Sequence, residues 1–158
     1  MSRRKNGSVY RLMENIQEPC IFQIMTLSRA VAREAHRYLG FIRFQEMKGK
    51  LLYSEIAPSG QILPLIGDHF MNRYPGERFL IYDSRHKMSL LHQPGEPWYL
   101  FTGEEPNTAV LEKSENEKDC EKLWKNFVET IAIPERTNPG LQKQLLPLKF
   151  RKYMTEWS

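Results

Sequence analysis

Asp83, Arg85 and His86 fall within four consecutive residues, and a tight turn there would bring a carboxylate, a guanidinium and an imidazole together. With His69 as a second imidazole, Asp83 and His86 form a candidate acid–base set for work on a nucleotide or a damaged base. The same turn has a plainer reading, in which Asp83 accepts backbone amides in an Asx arrangement and Arg85 pairs with it. The four histidines, His36, His69, His86 and His92, match no short metal-binding spacing, and Cys20 and Cys120 lie too far apart in sequence to signal a zinc site or a disulfide framework. There is no Gly-x-Ser-x-Gly elbow and no phosphate-loop glycine run, so neither a serine nucleophile nor a bound cofactor is expected.

A different chemistry is suggested by arginines interleaved with aromatics, in the blocks at 33–44, 68–74 and 133–139. The formal net charge of +4 hides a segregation: residues 1–60 carry +5, 61–102 are neutral, 103–121 carry −5 and 122–158 carry +4. A phosphate backbone responds to the local field and not to the total, so a segregated charge points to a polyanionic partner. Arginine outnumbers lysine in the first block, which suits planar, two-pronged contacts, and Tyr38, Phe41, Phe44 and Tyr53 are close enough in sequence to offer stacking faces. The plainer alternative is a solvated helix face balanced by Glu34, with most of those aromatics in the core. The −5 stretch suggests one further arrangement, an acidic loop folded over the basic surface as an internal mimic of DNA.

These side chains need a scaffold, and the apolar periodicity supplies one. Ile24, Leu27, Val31, Ala35 and Tyr38 recur at helical spacing, and Gly40 is placed to end that helix in a left-handed conformation. Phe41–Met47 and Leu51–Ala57 alternate around a Lys48-Gly49-Lys50 turn, and Leu63, Ile66 and Phe70 mark a second helix. Strands at 78–82, 87–92 and 98–101 form a meander, residues 103–118 read as a solvated acidic loop, and an amphipathic helix follows from Asp119. Short helical pieces punctuated by Pro134, Pro139 and Pro147 end the chain. The expected fold is therefore α+β, a mostly antiparallel sheet of about five strands packed against three to four helices. Residues 1–26 read as an N-terminal extension and 27–158 as a single domain. No apolar run approaches membrane-spanning length, which fits a cytoplasmic protein.

The order of several of these blocks is similar to that of a known family. Arg33-Glu34-Ala35-His36-Arg37 through Gly40-Phe41 and Arg43-Phe44, then Asp68-His69-Phe70 with Arg73, Ile81-Tyr82-Asp83 with Arg85, Leu123-Trp124-Lys125, 131–136 with Asn138-Pro139, and Leu146-Pro147 resemble an uncharacterised bacterial family of DNA-metabolism and DNA-repair proteins. The resemblance spans about residues 27–156. It implies a DNA-linked accessory role, beside a radical S-adenosylmethionine protein or fused ahead of a uracil-DNA glycosylase. His86 departs from the pattern, which favours a basic residue there, often arginine. Joined to the charge argument, this gives an expected nucleic-acid contact set of Arg33, Arg37, Arg43, His69, Arg73, Arg85 and Arg136, with Asp83 and Asn138 orienting their neighbours. Two other expectations stand beside it: an enzyme using Asp83, His69 and His86, and a protein-interaction module built on Trp124, Trp157 and the proline-rich tail.

Overall fold

The computed structural model describes residues 18–103, 106 and 112–157. Helix α1 (Pro19–Phe41) starts with proline at its first position, where the missing N–H is no loss and the fixed φ already suits a helix. Residues 19–26 thus form its first two turns, and residues 1–17 lie outside the described residues. The helix passes through Gly40, which keeps an ordinary negative φ, and stops at Ile42, which turns extended while its N–H donates to the Tyr38 carbonyl at 2.9 Å. The expected left-handed stop at Gly40 does not form. The added residues carry anchors: Phe41 meets the Phe150 ring at 4.6 Å and Ile42 is buried.

Strands β1 (Gln45–Met47) and β2 (Leu51–Ile56) form a hairpin whose turn holds Gly49 and Lys50 at positive φ. Helix α2 (Leu63–Arg73) then returns the chain to β3 (Arg78–Asp83), so that β2 and β3 pair in parallel, Ile56 opposite Asp83. A parallel neighbour needs such a crossover, because a short turn can only reverse the chain. β4 (Met88–His92) and β5 (Tyr99–Thr102) complete the meander, giving a five-stranded, mostly antiparallel sheet in the order β1-β2-β3-β4-β5. The fold is α+β.

Strand alternation sends Leu52, Ile56, Phe79, Ile81 and Leu90 to one face, where they meet Tyr38 of α1, Ile42 just after it, and Ile62, Leu63, Ile66 and Phe70 of the α2 segment. Met47, Tyr53, Leu80 and Tyr82 form a smaller cluster on the other face. The tail adds a plug to the main core. After α3 (Glu115–Ile131), a 3-10 turn at Pro134–Arg136 and α4 (Pro139–Leu145), the short α5 (Leu148–Arg151) inserts Phe150 edge-on against Tyr38, with ring centroids 4.8 Å apart. A last 3-10 turn, Thr155–Trp157, packs against α3.

Residues 112–118 correct the loop reading. Lys113 bridges Met47, the Lys48 N–H donates to the Glu112 carbonyl, and Ser114 caps α3 by accepting from the Glu117 N–H at 3.1 Å. Ser114-x-x-Glu117 has the sequence of a capping box, yet Glu117 accepts from the Glu46 N–H at 3.0 Å and so seals β1 to the helix. The rest of the expected loop, 104–105 and 107–111, lies outside the described residues. A second difference concerns amphipathic faces. Ile24 and Leu27 of α1, and Leu123, Trp124, Phe127 and Ile131 of α3, follow helical periodicity but are exposed, so the apolar stripes outrun the core.

Gly67 shows how closely α2 approaches the strand region. A Cβ built there would stand 2.6 Å from Trp98 Cε2, and the indole N–H donates to Asp68 Oδ1 at 2.7 Å, which fixes the ring over the glycine. Gly67→Ala is therefore expected to lower stability by ~1–3 kcal/mol in urea unfolding, a loss that shrinks when Trp98 is shortened to Leu in the same chain.

Candidate functional site

Because β2 and β3 run parallel, their carboxyl ends open side by side, and open sheets place ligands outside such ends. Two turns leave there. From β2 the chain passes through Pro58-Ser59-Gly60 toward α2, and from β3 it passes through Ser84-Arg85-His86 into β4. The Ser84 N–H and hydroxyl both donate to the Ile56 carbonyl, at 2.9 and 3.2 Å, so the second turn is tied to the end of β2.

Helix α1 crosses this end of the sheet with Glu34. Its carboxylate accepts from the Ser59 N–H at 3.0 Å, the Gly60 N–H at 2.9 Å and Lys149 Nζ at 2.8 Å. Burial alone would raise the Glu34 carboxyl, but the Lys149 ammonium and the two amides outweigh it and hold it down to about 2. Lys149 reaches Glu34 because its neighbour Phe150 is anchored in the core and the lysine lies across that ring, 5.1 Å from the centroid. One helical turn beyond Glu34, the buried Tyr38 hydroxyl is pushed far above the usual phenol range, first by burial and then by the negative field of Glu34, with the Ala57 backbone amide opposing them.

Asp83 is 1% exposed at the end of β3. One carboxylate oxygen accepts from the Arg85 and His86 N–H groups at 3.0 and 3.1 Å, an Asx turn, and the other meets His86 Nδ1 at 2.6 Å. This pairing fixes the imidazole so that Nδ1 faces the carboxylate and Nε2 points away from it, in an orientation suited to proton transfer. Arg85 is exposed on the same turn and makes no ion pair with Asp83 among the described residues. His69 does not join the pair. It lies late in α2, which runs back toward the amino end of β3, and its ring packs edge-on against Phe70 at 5.1 Å.

The arginines divide by element. Arg29, Arg33 and Arg37 are spaced by four along α1 and are exposed. Arg33 and Arg37 line a cleft of 570 Å³ with Leu27, Val31, Lys149 and the Ser59–Gly60 turn. Arg85 stands at the same end of the sheet. Arg43 donates to the Gly40 and Ile42 carbonyls, at 2.9 and 3.2 Å, and shares another cleft with Glu117, Glu121 and Trp124. Arg73 lies against Tyr74 at the end of α2, Arg136 sits on the 3-10 turn after α3, and Asn138 caps α4 by accepting from the Leu141 N–H at 3.0 Å. Among the described residues no carboxylate within 4.0 Å pairs with Arg33 or Arg37. The described acidic stretch is engaged along β1, with Glu112 on Lys48 and Glu121 on Lys113 and Gln45.

Lys149 was absent from the residues singled out by sequence, and Glu34 entered only as a counter-charge. The pair is separated by 115 positions, so no local spacing announces it; the one available signal was the Pro58-Ser59-Gly60 turn, whose free amides require an acceptor. Among the described residues no group of three metal-ligating side chains gathers, and no helix is long and apolar enough to cross a membrane. A family model described as a domain of unknown function matches residues 5–156. No curated protein and no solved structure matches the chain.

Glu34→Gln is expected to lower stability by ~1–3 kcal/mol near neutrality, because two amides and an ammonium lose their charged acceptor. The depressed carboxyl contributes stability that is complete above its ordinary value of 4.5 and disappears as pH falls toward about 2. Urea unfolding at about pH 6 and about pH 3 should therefore show the gap between wild type and variant narrowing at the lower pH; a gap independent of pH would contradict this account.

Proposed function

The chain belongs to the DUF4130 family, and we propose that it is an accessory protein of DNA metabolism or repair that binds a nucleic-acid backbone through the arginine face of α1. The observation that carries this reading is the electrostatic state of the α1 cleft. Glu34, the carboxylate at its wall, is already neutralised by Lys149 and held by two amides, so Arg33 and Arg37 face solvent as uncompensated charge. Guanidinium groups one helical turn apart suit successive phosphate oxygens, and binding would be driven by counterion release together with two-pronged hydrogen bonding. The sequence resemblance to DNA-repair proteins supports the same reading, with a radical S-adenosylmethionine protein or a uracil-DNA glycosylase as the companion enzyme. The exposed stripe Leu123, Trp124, Phe127 and Ile131, with Trp157 beyond it, offers an apolar surface for that companion.

A second reading rests on the Asp83–His86 pair at the same end of the sheet. A sheltered carboxylate orienting an imidazole is an acid–base device, and it would act on a nucleotide or damaged base held nearby. His69 has no part in it.

The primary reading is tested by titrating a labelled single-stranded oligonucleotide at several salt concentrations. Affinity is expected to fall steeply with salt, and R33Q/R37Q to reduce the slope of log K against log salt by ~1.4, two phosphates at about 0.7 each. Absence of binding at low salt would remove this reading, and an unchanged slope in the double variant would move the contact away from α1.

A further inference from the structure

The α1 cleft has two chemically distinct halves, and their pairing narrows what it can hold. Arg33 and Arg37 make one side cationic, while Leu27, Ala30 and Val31 make the adjoining stretch of the same helix apolar. A continuous phosphate backbone would use only the charged half. A single nucleotide would use both, its phosphate on the guanidinium groups and its sugar or base on the aliphatic side. The volume of 570 Å³ suits one small-molecule unit, within the ~300–1,000 Å³ typical of such sites. The opposite wall is already complete, because the Ser59 and Gly60 amides and Lys149 all bind Glu34. Arg33 Nε donates to the Arg29 carbonyl at 3.3 Å, which leaves the terminal guanidinium N–H groups of Arg33, with Arg37, to meet a ligand.

We infer that this cleft is a nucleotide phosphomonoester site that seats the phosphorylated end of a nucleic-acid strand. The inference rests on the nucleic-acid reading and specifies which part of the strand is recognised. A terminal phosphate carries about −1.5 to −2 charge near neutrality and three acceptor oxygens, whereas an internal diester carries a single charge. Two arginines reaching one group can satisfy those three oxygens by paired N–H donation, a geometry that lysine cannot reproduce.

The test measures fluorescence anisotropy of the full chain with ten-nucleotide single strands carrying a 5′-phosphate, a 3′-phosphate or no terminal phosphate, each labelled at the opposite end, in about 0.15 M salt. One phosphorylated end is expected to bind about tenfold tighter than the hydroxyl end, and R33Q/R37Q to abolish that preference while thermal unfolding stays at the wild-type temperature. Should the double variant fail to fold, Arg37→Lys keeps the charge but loses the fork, and is expected to keep most binding to unphosphorylated strands while losing most of the preference. Competition with dAMP and deoxyadenosine separates the sources. Displacement by dAMP alone, weaker than by the phosphorylated strand, supports the strand end; dAMP binding as tightly as the strand overturns the strand end in favour of a free nucleotide. Equal affinity for all three oligonucleotides overturns the inference and leaves the backbone reading standing. No binding to any of them at low salt overturns both.

Discussion

Because α2 carries the chain back along the sheet between β2 and β3, those two strands finish at the same end, and both polar turns of the candidate site descend from that constraint. Their carboxyl ends release two turns together, one presenting the Ser59 and Gly60 amides and the other presenting Asp83 and His86. Ser84 binding the Ile56 carbonyl ties the turns to each other. An antiparallel β2–β3 pair would have sent them to opposite ends of the sheet, and no rearrangement of side chains could have compensated.

Helix α1 serves the core and the surface at once. Ala35, Tyr38 and Ile42 lock one side against the sheet and Phe150, while Arg29, Arg33 and Arg37 run along another. Rigid placement follows, since an arginine on a helix held by buried aromatics is better positioned than one on a loop. The Glu34 tie extends this rigidity, fastening α1 to the turn after β2 and to the C-terminal α5 through one carboxylate. Three segments distant in sequence are thereby held around a single small volume.

The acidic segment lies along a different part of the molecule. Its described portion pairs with β1 and starts α3, where Glu112, Glu117 and Glu121 meet Lys48, the Glu46 amide, Lys113 and Gln45. Segregated charge along the chain thus becomes segregated charge in space: acid along the β1 edge, with Arg43 beside it, and uncompensated arginine on α1. The exposed apolar side of α3 belongs to the acidic region, apart from the cationic cleft on α1.

The elements were largely legible in the sequence, because hydrophobic periodicity is a local property. Leu63, Ile66 and Phe70 marked α2 by helical spacing, and the β-favouring residues of 78–82 and 87–92 around the 83–86 turn marked β3 and β4. Boundaries failed where a distant partner decided them. Gly40 invited a stop, but burial of Ile42 and stacking of Phe41 on Phe150 carried the helix two residues further; the Glu-rich 115–118 looked like loop until Ser114 capped it and Glu117 found Glu46. The Asp83–His86 pair was visible because its members are three positions apart, and the α1 arginines because they recur every four positions. Parallel pairing of β2 and β3, the Glu34–Lys149 bond and the departure of His69 and Arg43 from the other candidates were decided by tertiary structure alone. Each depends on which surfaces a folded chain brings together, and residue spacing along a linear sequence does not encode distance across a core.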